Sequence, residues 1–334
     1  MPDRIRVIQV GLGALGRQVT RLLIQRPEFA VVGAVDPDPE LIGTPLAEVA
    51  GFDVGCGVRI AAEPAVALSG VPADVAVHTT VSDLTMASKQ IDVLLNCGLH
   101  VVSSCEELSY PWLKAPHASQ AIDQKAKAAG RCVLATGVNP GFLMDFLPLL
   151  LTAICGRVDR ITVRRYQDAR FRRLPFQRKI GAGLTPEEFE EKRRSGVLRH
   201  MGLTESVHMI ADGLGWRLGR VKEDIEPVIA DTAVASEDIT VSPGMAAGVS
   251  QTAVGFVDGR ERIRLEFRAC LGEPDIQDTV SIEGDQAYCF SALGGVNGDV
   301  ATCSILVNAI RTVIAGPPGL HTMADLPVIT CSAS

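Results

Sequence analysis

Ile5-Arg6-Val7-Ile8-Gln9-Val10, Gly11-Leu12-Gly13-Ala14-Leu15-Gly16 and Arg17-Gln18-Val19-Thr20-Arg21-Leu22-Leu23-Ile24 run consecutively near the start of the chain. A β-branched run that passes through three glycines at this spacing into a helical pattern reads as the strand, tight turn and helix of a dinucleotide-binding βαβ unit. Gly11 permits the sharp turn, Gly13 lets the backbone approach a pyrophosphate with no Cβ in the way, and Gly16 lets the helix pack closely on the strand. Ala14 and Leu15 open the helix, where unbonded N–H groups and the positive end of the helix dipole meet the phosphates.

Three glycines alone also suit a tight turn with no ligand. Context comes from the next apolar run, Ala30-Val31-Val32-Gly33-Ala34-Val35, which ends at Asp36, where the fingerprint carries its acidic residue. A carboxylate there accepts hydrogen bonds from the adenosine ribose hydroxyls and repels a 2′-phosphate. NAD is therefore favoured over NADP as the cofactor, although the nearby Arg17 could accommodate a phosphate.

At 334 residues the chain has room for two domains, each with its own core. The formal net charge of −7 argues against nucleic acid or an anionic membrane as the main partner. No stretch approaches the roughly twenty apolar residues of a membrane helix, and the start of the chain lacks the basic-then-apolar layout of a signal peptide, so a cytoplasmic location is expected. The nine cysteines are scattered and show no paired CxxC spacing, which suggests neither a zinc site nor a disulfide framework. They read as small apolar residues in a reducing compartment, and no metal is expected.

Farther along, residues 73–80 read as a parallel strand that delivers His78, Thr79 and Thr80 to the crevice at the carboxyl ends of the strands. His78 is either a proton donor or a neutral structural histidine. After a helix over 88–97, the strand chemistry of 100–105 runs into Glu106 and Glu107. Two carboxylates beside the expected nicotinamide position form a candidate general acid/base; the alternative is that one of them caps the following helix. A helix from Ser109 to Ala129 and a strand over 132–137 lead to Val138-Asn139-Pro140-Gly141-Phe142, a second glycine-containing loop, where the Asn139 amide could bind the nicotinamide or a substrate. An apolar helix over 143–155 then leaves the nucleotide domain.

Beyond Arg157 the character changes to alternating segments bounded by Gly, Pro and Asp, as expected of an antiparallel sheet. The basic stretch 164–179 reads as a solvated face, a subunit contact or an anion-binding lid. Ser250 and Gln251 either face a substrate or sit in the ladder. A final helix over 300–315 returns toward the first domain. The expected architecture is α/β: a Rossmann doubly wound parallel sheet plus an α+β domain with a mainly antiparallel sheet. Its divisions are a dinucleotide-binding domain over 1–152, a substrate and oligomerisation domain over 153–298, and a returning helix and tail over 299–334.

The chain resembles the 2,4-diaminopentanoate dehydrogenases and the related native amine dehydrogenases, whose nucleotide domain is akin to that of dihydrodipicolinate reductase. The motifs that carry the resemblance are the glycine turn, Cys105-Glu106-Glu107-Leu108-Ser109-Tyr110-Pro111, Gly137-Val138-Asn139-Pro140-Gly141-Phe142, Lys179-Ile180-Gly181-Ala182-Gly183-Leu184-Thr185, and Pro317-Pro318-Gly319-Leu320 with Asp325-Leu326-Pro327. The resemblance implies an NAD(P)-dependent oxidoreductase acting on CH–NH2 groups, which deaminates a primary amine reversibly to a ketone and ammonia. It places the catalytic carboxylate on the pair Glu106 and Glu107, with Glu107 preferred because neighbouring families carry their reactive acid or lysine one step farther past the strand end. The His-His and Lys-x-Asp-Ala-Pro-Ser-Gly-Thr motifs of dihydrodipicolinate reductase itself are absent.

Phe142, Leu143 and Tyr166 are the candidate walls of a small aliphatic pocket. Arg164, Arg165, Arg170 or Arg173 could anchor a substrate carboxylate. A homodimer through the antiparallel sheet is expected. The competing readings are a reductase of another small carbonyl or cyclic imine, and an NAD-binding sensor without turnover; a sensor has no need of the acid pair.

Overall fold

The computed structural model describes residues 4–52, 57–196, 198 and 200–331. Its first half lays down β1 (Ile5–Val10), β2 (Phe29–Val35), β3 (Ile60–Ala61), β4 (Val75–His78), β5 (His100–Ser103) and β6 (Cys132–Ala135). Strands buried on both faces read as continuous apolar runs, and β4, β5 and β6 are buried along their whole length. Helix Ala14–Gln25 turns Gly16, Val19, Thr20 and Leu23 inward, the one-sided spacing of a helix packed on a sheet.

Helix Leu84–Asn96 begins four residues before the expected start, behind the cap residue Asp83, whose side chain accepts the Met86 N–H. Helix Pro116–Ala129 begins later than expected. Pro111 and Pro116 each disfavour helical backbone at the preceding residue, so the segment after β5 opens instead with a 3₁₀ turn, Glu106–Leu108.

The second unit holds β7 (Val158–Asp168), β8 (Arg220–Ile229), β9 (Val234–Ala235), β10 (Thr240–Val241), β11 (Ala246–Val257), β12 (Arg260–Cys270), β13 (Gln277–Gly284) and β14 (Ala287–Ala292). Six of them form one sheet in the order β14-β13-β7-β12-β11-β8, in which only β7 and β12 run parallel. Helix Pro186–Arg194 is capped by Thr185, which forms a reciprocal capping box with Glu188. Helix Leu203–Gly213 buries seven side chains against this unit.

The chain then returns through helix Gly298–Ala315 and adds β15 (Gly319–His321) beside β6. The completed first sheet is parallel throughout, in the order β15-β6-β5-β4-β1-β2-β3. The returning helix has the length and apolarity of a short membrane span, contrary to the expectation that no segment approaches one. It packs as a core helix on helix Ala14–Gln25 and on the sheet, with Leu306, Val307, Ile310 and Val313 buried.

Two compact units result, residues 1–142 with 298–334, and residues 143–297. The first division falls before helix Phe146–Leu151, which the sequence had suggested ends the nucleotide domain. That helix lies with the second unit because Leu149 packs directly over Gly213, where a Cβ would come within 2.7 Å.

Candidate active site

In the parallel sheet β1 lies between β2 and β4, so the strand order reverses there and a crevice opens beyond their carboxyl ends. Gly11 follows β1 with φ +88°, and a Cβ on it would lie 2.7 Å from the Thr79 carbonyl oxygen. A Cβ on Gly16 would lie 1.9 Å from the Gly11 carbonyl oxygen. At Gly13 nothing stands within 4 Å, and no side chain caps the helix that starts there. The first helical N–H groups thus face open space at the positive end of the dipole, which fits a pyrophosphate.

Asp36 stands at the end of β2 with both carboxylate oxygens fixed. Oδ2 accepts the Leu12 N–H at 2.7 Å and Oδ1 accepts the Asp38 N–H at 3.0 Å. Arg17 donates from Nε to the Leu12 carbonyl at 2.8 Å. Val35, Pro37, Pro64, Thr80 and Leu94 line a mostly apolar cavity of about 360 Å³ beside Gly11, suited to the adenosine end of a dinucleotide.

Of the residues delivered by β4, His78 and Thr79 have structural tasks. His78 is buried, with Nδ1 2.9 Å from Ser103 Oγ and Nε2 2.7 Å from Gln90 Oε1 and 2.8 Å from Thr80 Oγ1. Burial pushes its pKa down, which keeps the ring neutral and corrects the proton-donor alternative. Thr79 Oγ1 accepts from Gln9 Nε2 at 2.8 Å and donates to the Gly11 carbonyl at 3.0 Å, fastening β4 to the glycine turn. Thr80 keeps its place on the cavity wall.

Glu106 and Glu107 lie on the 3₁₀ turn directly after β5. The Glu107 N–H donates to the Ser82 carbonyl at 3.3 Å, and its Oε2 accepts the Leu84 N–H at 3.0 Å. Glu107 therefore caps a helix, but the helix that precedes it in the chain and not the one that follows. The bond ties the loop after β4 to the turn after β5.

Asn139 lies in the loop after β6 and is 7 % exposed, yet neither its Oδ1 nor its Nδ2 has a hydrogen-bond partner. A buried, unsatisfied amide costs roughly 1–3 kcal/mol. A carboxamide, offering N–H donors and an acceptor oxygen, satisfies both atoms, so this loop fits the nicotinamide end.

A model of the 2,4-diaminopentanoate dehydrogenase C-terminal domain matches residues 142–334. The 2,4-diaminopentanoate dehydrogenase of Acetoanaerobium sticklandii is 33% identical over 340 residues, covering 98% of this chain and 94% of that protein. The chain belongs to the 2,4-diaminopentanoate dehydrogenase family. An amine dehydrogenase of Streptomyces virginiae is 23% identical over 97% of this chain and 96% of its own length. The structure of amine dehydrogenase from Mycobacterium smegmatis superimposes with a TM-score of 0.88 at 25% identity, covering 99% of this chain and 98% of that one.

In this family member the other expected site residues are placed as follows. Phe142 closes the first unit and is half-buried. Leu143 lines an apolar cavity of about 260 Å³ within the second unit, together with Met144, Leu147, Val163, Val280 and Phe290. Tyr166 does not line it. Its hydroxyl donates to Glu266 Oε2 at 3.0 Å, and burial followed by that contact raises its pKa.

Three of the four arginines proposed as carboxylate anchors already hold carboxylates of their own unit: Arg164 with Glu266 at 2.8 Å, Arg165 with Asp278 at 2.7 Å and Arg170 with Asp168 at 2.6 Å. Gln251 is a ladder residue that bridges the His200 backbone and Glu223. No group of three or more His, Cys, Asp or Glu that could hold a metal occurs among the described residues. The eight cysteines among them are all free thiols, Cys56 lying outside.

Proposed function

We propose that this chain is an NAD(P)-dependent amine dehydrogenase, converting a primary amine reversibly to a ketone and ammonia, with 2,4-diaminopentanoate or a small aliphatic amine as substrate. The observation that carries the reading is the Glu106–Glu107 pair on the turn after β5, held to the loop after β4 by the Leu84 N–H, in the same crevice-forming sheet as the glycine turn. Gly11, Gly13, Ala14, Leu15 and Gly16 would cradle the pyrophosphate, Asp36 the ribose and Asn139 the carboxamide, with Asp36 favouring NAD. When bound, the nicotinamide exchanges a hydride with the substrate carbon.

The protein's share is proton transfer and orientation. In the reductive direction a carboxylate takes a proton from ammonium, returns one to the departing hydroxyl and stabilises the iminium charge. We assign this to Glu107, whose Oε2 is held by the Leu84 N–H, with Glu106 as its partner. The proposal includes a cytoplasmic homodimer formed through the six-stranded sheet, which a monomeric mass in solution would remove.

The test is oxidation of NADH and NADPH with a panel of small ketones and ammonium, together with the reverse reaction on 2,4-diaminopentanoate. Ammonium-dependent oxidation with several ketones supports a broad amine dehydrogenase, and activity confined to the diamino acid supports the narrower one. Silence with every substrate overturns the reading.

A further inference from the structure

At the amino ends of the parallel strands, opposite the crevice, the first unit has an open cleft of about 1110 Å³. Arg4, Arg6, Asp74, His100 and Arg131 supply its polar wall, and Leu68, Val71, Pro72 and Ile314 are among its apolar residues. The charges do not cancel. Asp74 is taken up by Arg6, through a paired guanidinium contact and the Arg6 N–H at 2.8 Å.

Arg4 and Arg131 have no carboxylate partner among the described residues and rest on backbone carbonyls. Arg4 holds those of Pro27 and Phe29, and Arg131 holds that of Gly98. Carbonyls orient a guanidinium without neutralising it, so two positive charges are fixed at the wall of the cleft in a chain whose net charge is −7.

His100 adds a further polar group to the same wall. The Cys132 N–H donates to its Nδ1 at 3.1 Å, which places the proton of the neutral ring on Nε2. That nitrogen stands 3.5 Å from Arg131 Nη1. Both groups are donors on that edge, where the Val313 backbone already serves the ring as an acceptor, and an oxygen in the cleft accepts from Arg131 beside it. Burial, followed by the Arg131 charge, lowers the His100 pKa, with Asp74 and the Val313 backbone acting the other way.

We infer that this cleft is a second ligand site, which takes a small polyanion carrying phosphate or carboxylate oxygens on Arg4 and Arg131, beside His100, with the rest of the ligand against the apolar wall. It shares no residue with the dinucleotide cradle. Arg6, Asp74 and His100 stand at the starts of β1, β4 and β5, the strands whose other ends carry Gly11, Thr79 and Glu106.

Calorimetric titration of the full chain with pyrophosphate and, separately, with citrate tests the inference, with NAD present in excess to occupy the glycine turn. Binding of at least one anion is expected, and charge-assisted bonds of this kind predict a loss of about tenfold in Arg131→Gln or in Arg4→Gln. Arg4 is exposed, so its variant keeps the test valid if Arg131→Gln fails to fold. Binding of pyrophosphate alone identifies a phosphorylated ligand, and of citrate alone a polycarboxylate. No binding of either anion, or binding unchanged in both folded variants, overturns the inference.

Discussion

Replacing Glu107 separates its two tasks, because alanine and glutamine remove different parts of the side chain. The Leu84 N–H is among the helix-start donors that have no partner within the helix, and Glu107 Oε2 satisfies it at 3.0 Å. Losing such an acceptor costs about 1 kcal/mol, and removing negative charge from the positive end of the helix costs about 0.3–1 kcal/mol more. Glu107→Ala should therefore lose roughly 1–2 kcal/mol, which for a chain of this size lowers Tm by about 2–3 °C.

Glu107→Gln keeps an acceptor oxygen for Leu84 while losing the charge, so its Tm should fall by no more than about 1.5 °C. Turnover should behave differently. Loss of a general acid/base costs about 100-fold or more in kcat, and both variants should show it while binding NAD about as well as the parent. The assay is steady-state NADH oxidation with ketone and ammonium, beside calorimetric melting. A Glu107→Gln enzyme with near-parental kcat would refute the catalytic assignment, leave Glu107 as a helix cap and transfer the proton chemistry to Glu106, with Glu106→Gln as the deciding variant.

The glycine turn predicts a contrast between neighbours. Gly16→Ala forces a Cβ to 1.9 Å from the Gly11 carbonyl and should lower both melting temperature and NAD affinity, whereas Gly13→Ala meets nothing within 4 Å and should fold normally but bind NAD about tenfold more weakly or worse, as fluorescence titration would show. Asp36→Asn keeps an acceptor for the Leu12 N–H while removing the charge that repels a 2′-phosphate, so the ratio of kcat/KM for NADPH over NADH should rise; an unchanged ratio would exclude Asp36 as the selector. The Arg6 hydrogen bond holds the Asp74 carboxyl below its ordinary value of 3.8. The stability from that pair is complete above the unfolded value and lost as pH falls through the lower folded one, so Asp74→Asn should flatten this part of the acid limb in urea midpoints measured between about pH 2 and 6.

What could be read from sequence was local. The glycine turn is legible because the requirement at each position is steric and lies within a few residues, and the same holds for the Thr185 capping box. The placement of the acid pair after β5 and of Asn139 after β6 is also legible, since each follows an apolar run whose carboxyl end the parallel topology aims at the crevice. β15 escaped notice because three residues with one glycine carry no period, and only the partner β6 makes them a strand.

Misreadings arose where a polar side chain finds its partner far along the chain. Arg164 and Arg165 looked like anchors for a substrate carboxylate within the basic stretch, yet their carboxylates are Glu266 and Asp278, about a hundred residues away on strands laid beside β7. Arg165 shows why this matters energetically. It is 1% exposed, and a buried guanidinium is tolerated only where charge and hydrogen bonds meet it; Asp278 and the Val296 carbonyl do so here. The same Asp278 receives the Val296 N–H at 2.7 Å, so the pair closes on the loop that hands the chain to its last helix. An arginine committed in this way has its charge met by a carboxylate of its own unit, whereas Arg4 and Arg131 are held by carbonyls, which leave the charge uncompensated. The distinction between them lies in the kind of oxygen that each guanidinium meets, and only the folded chain decides that.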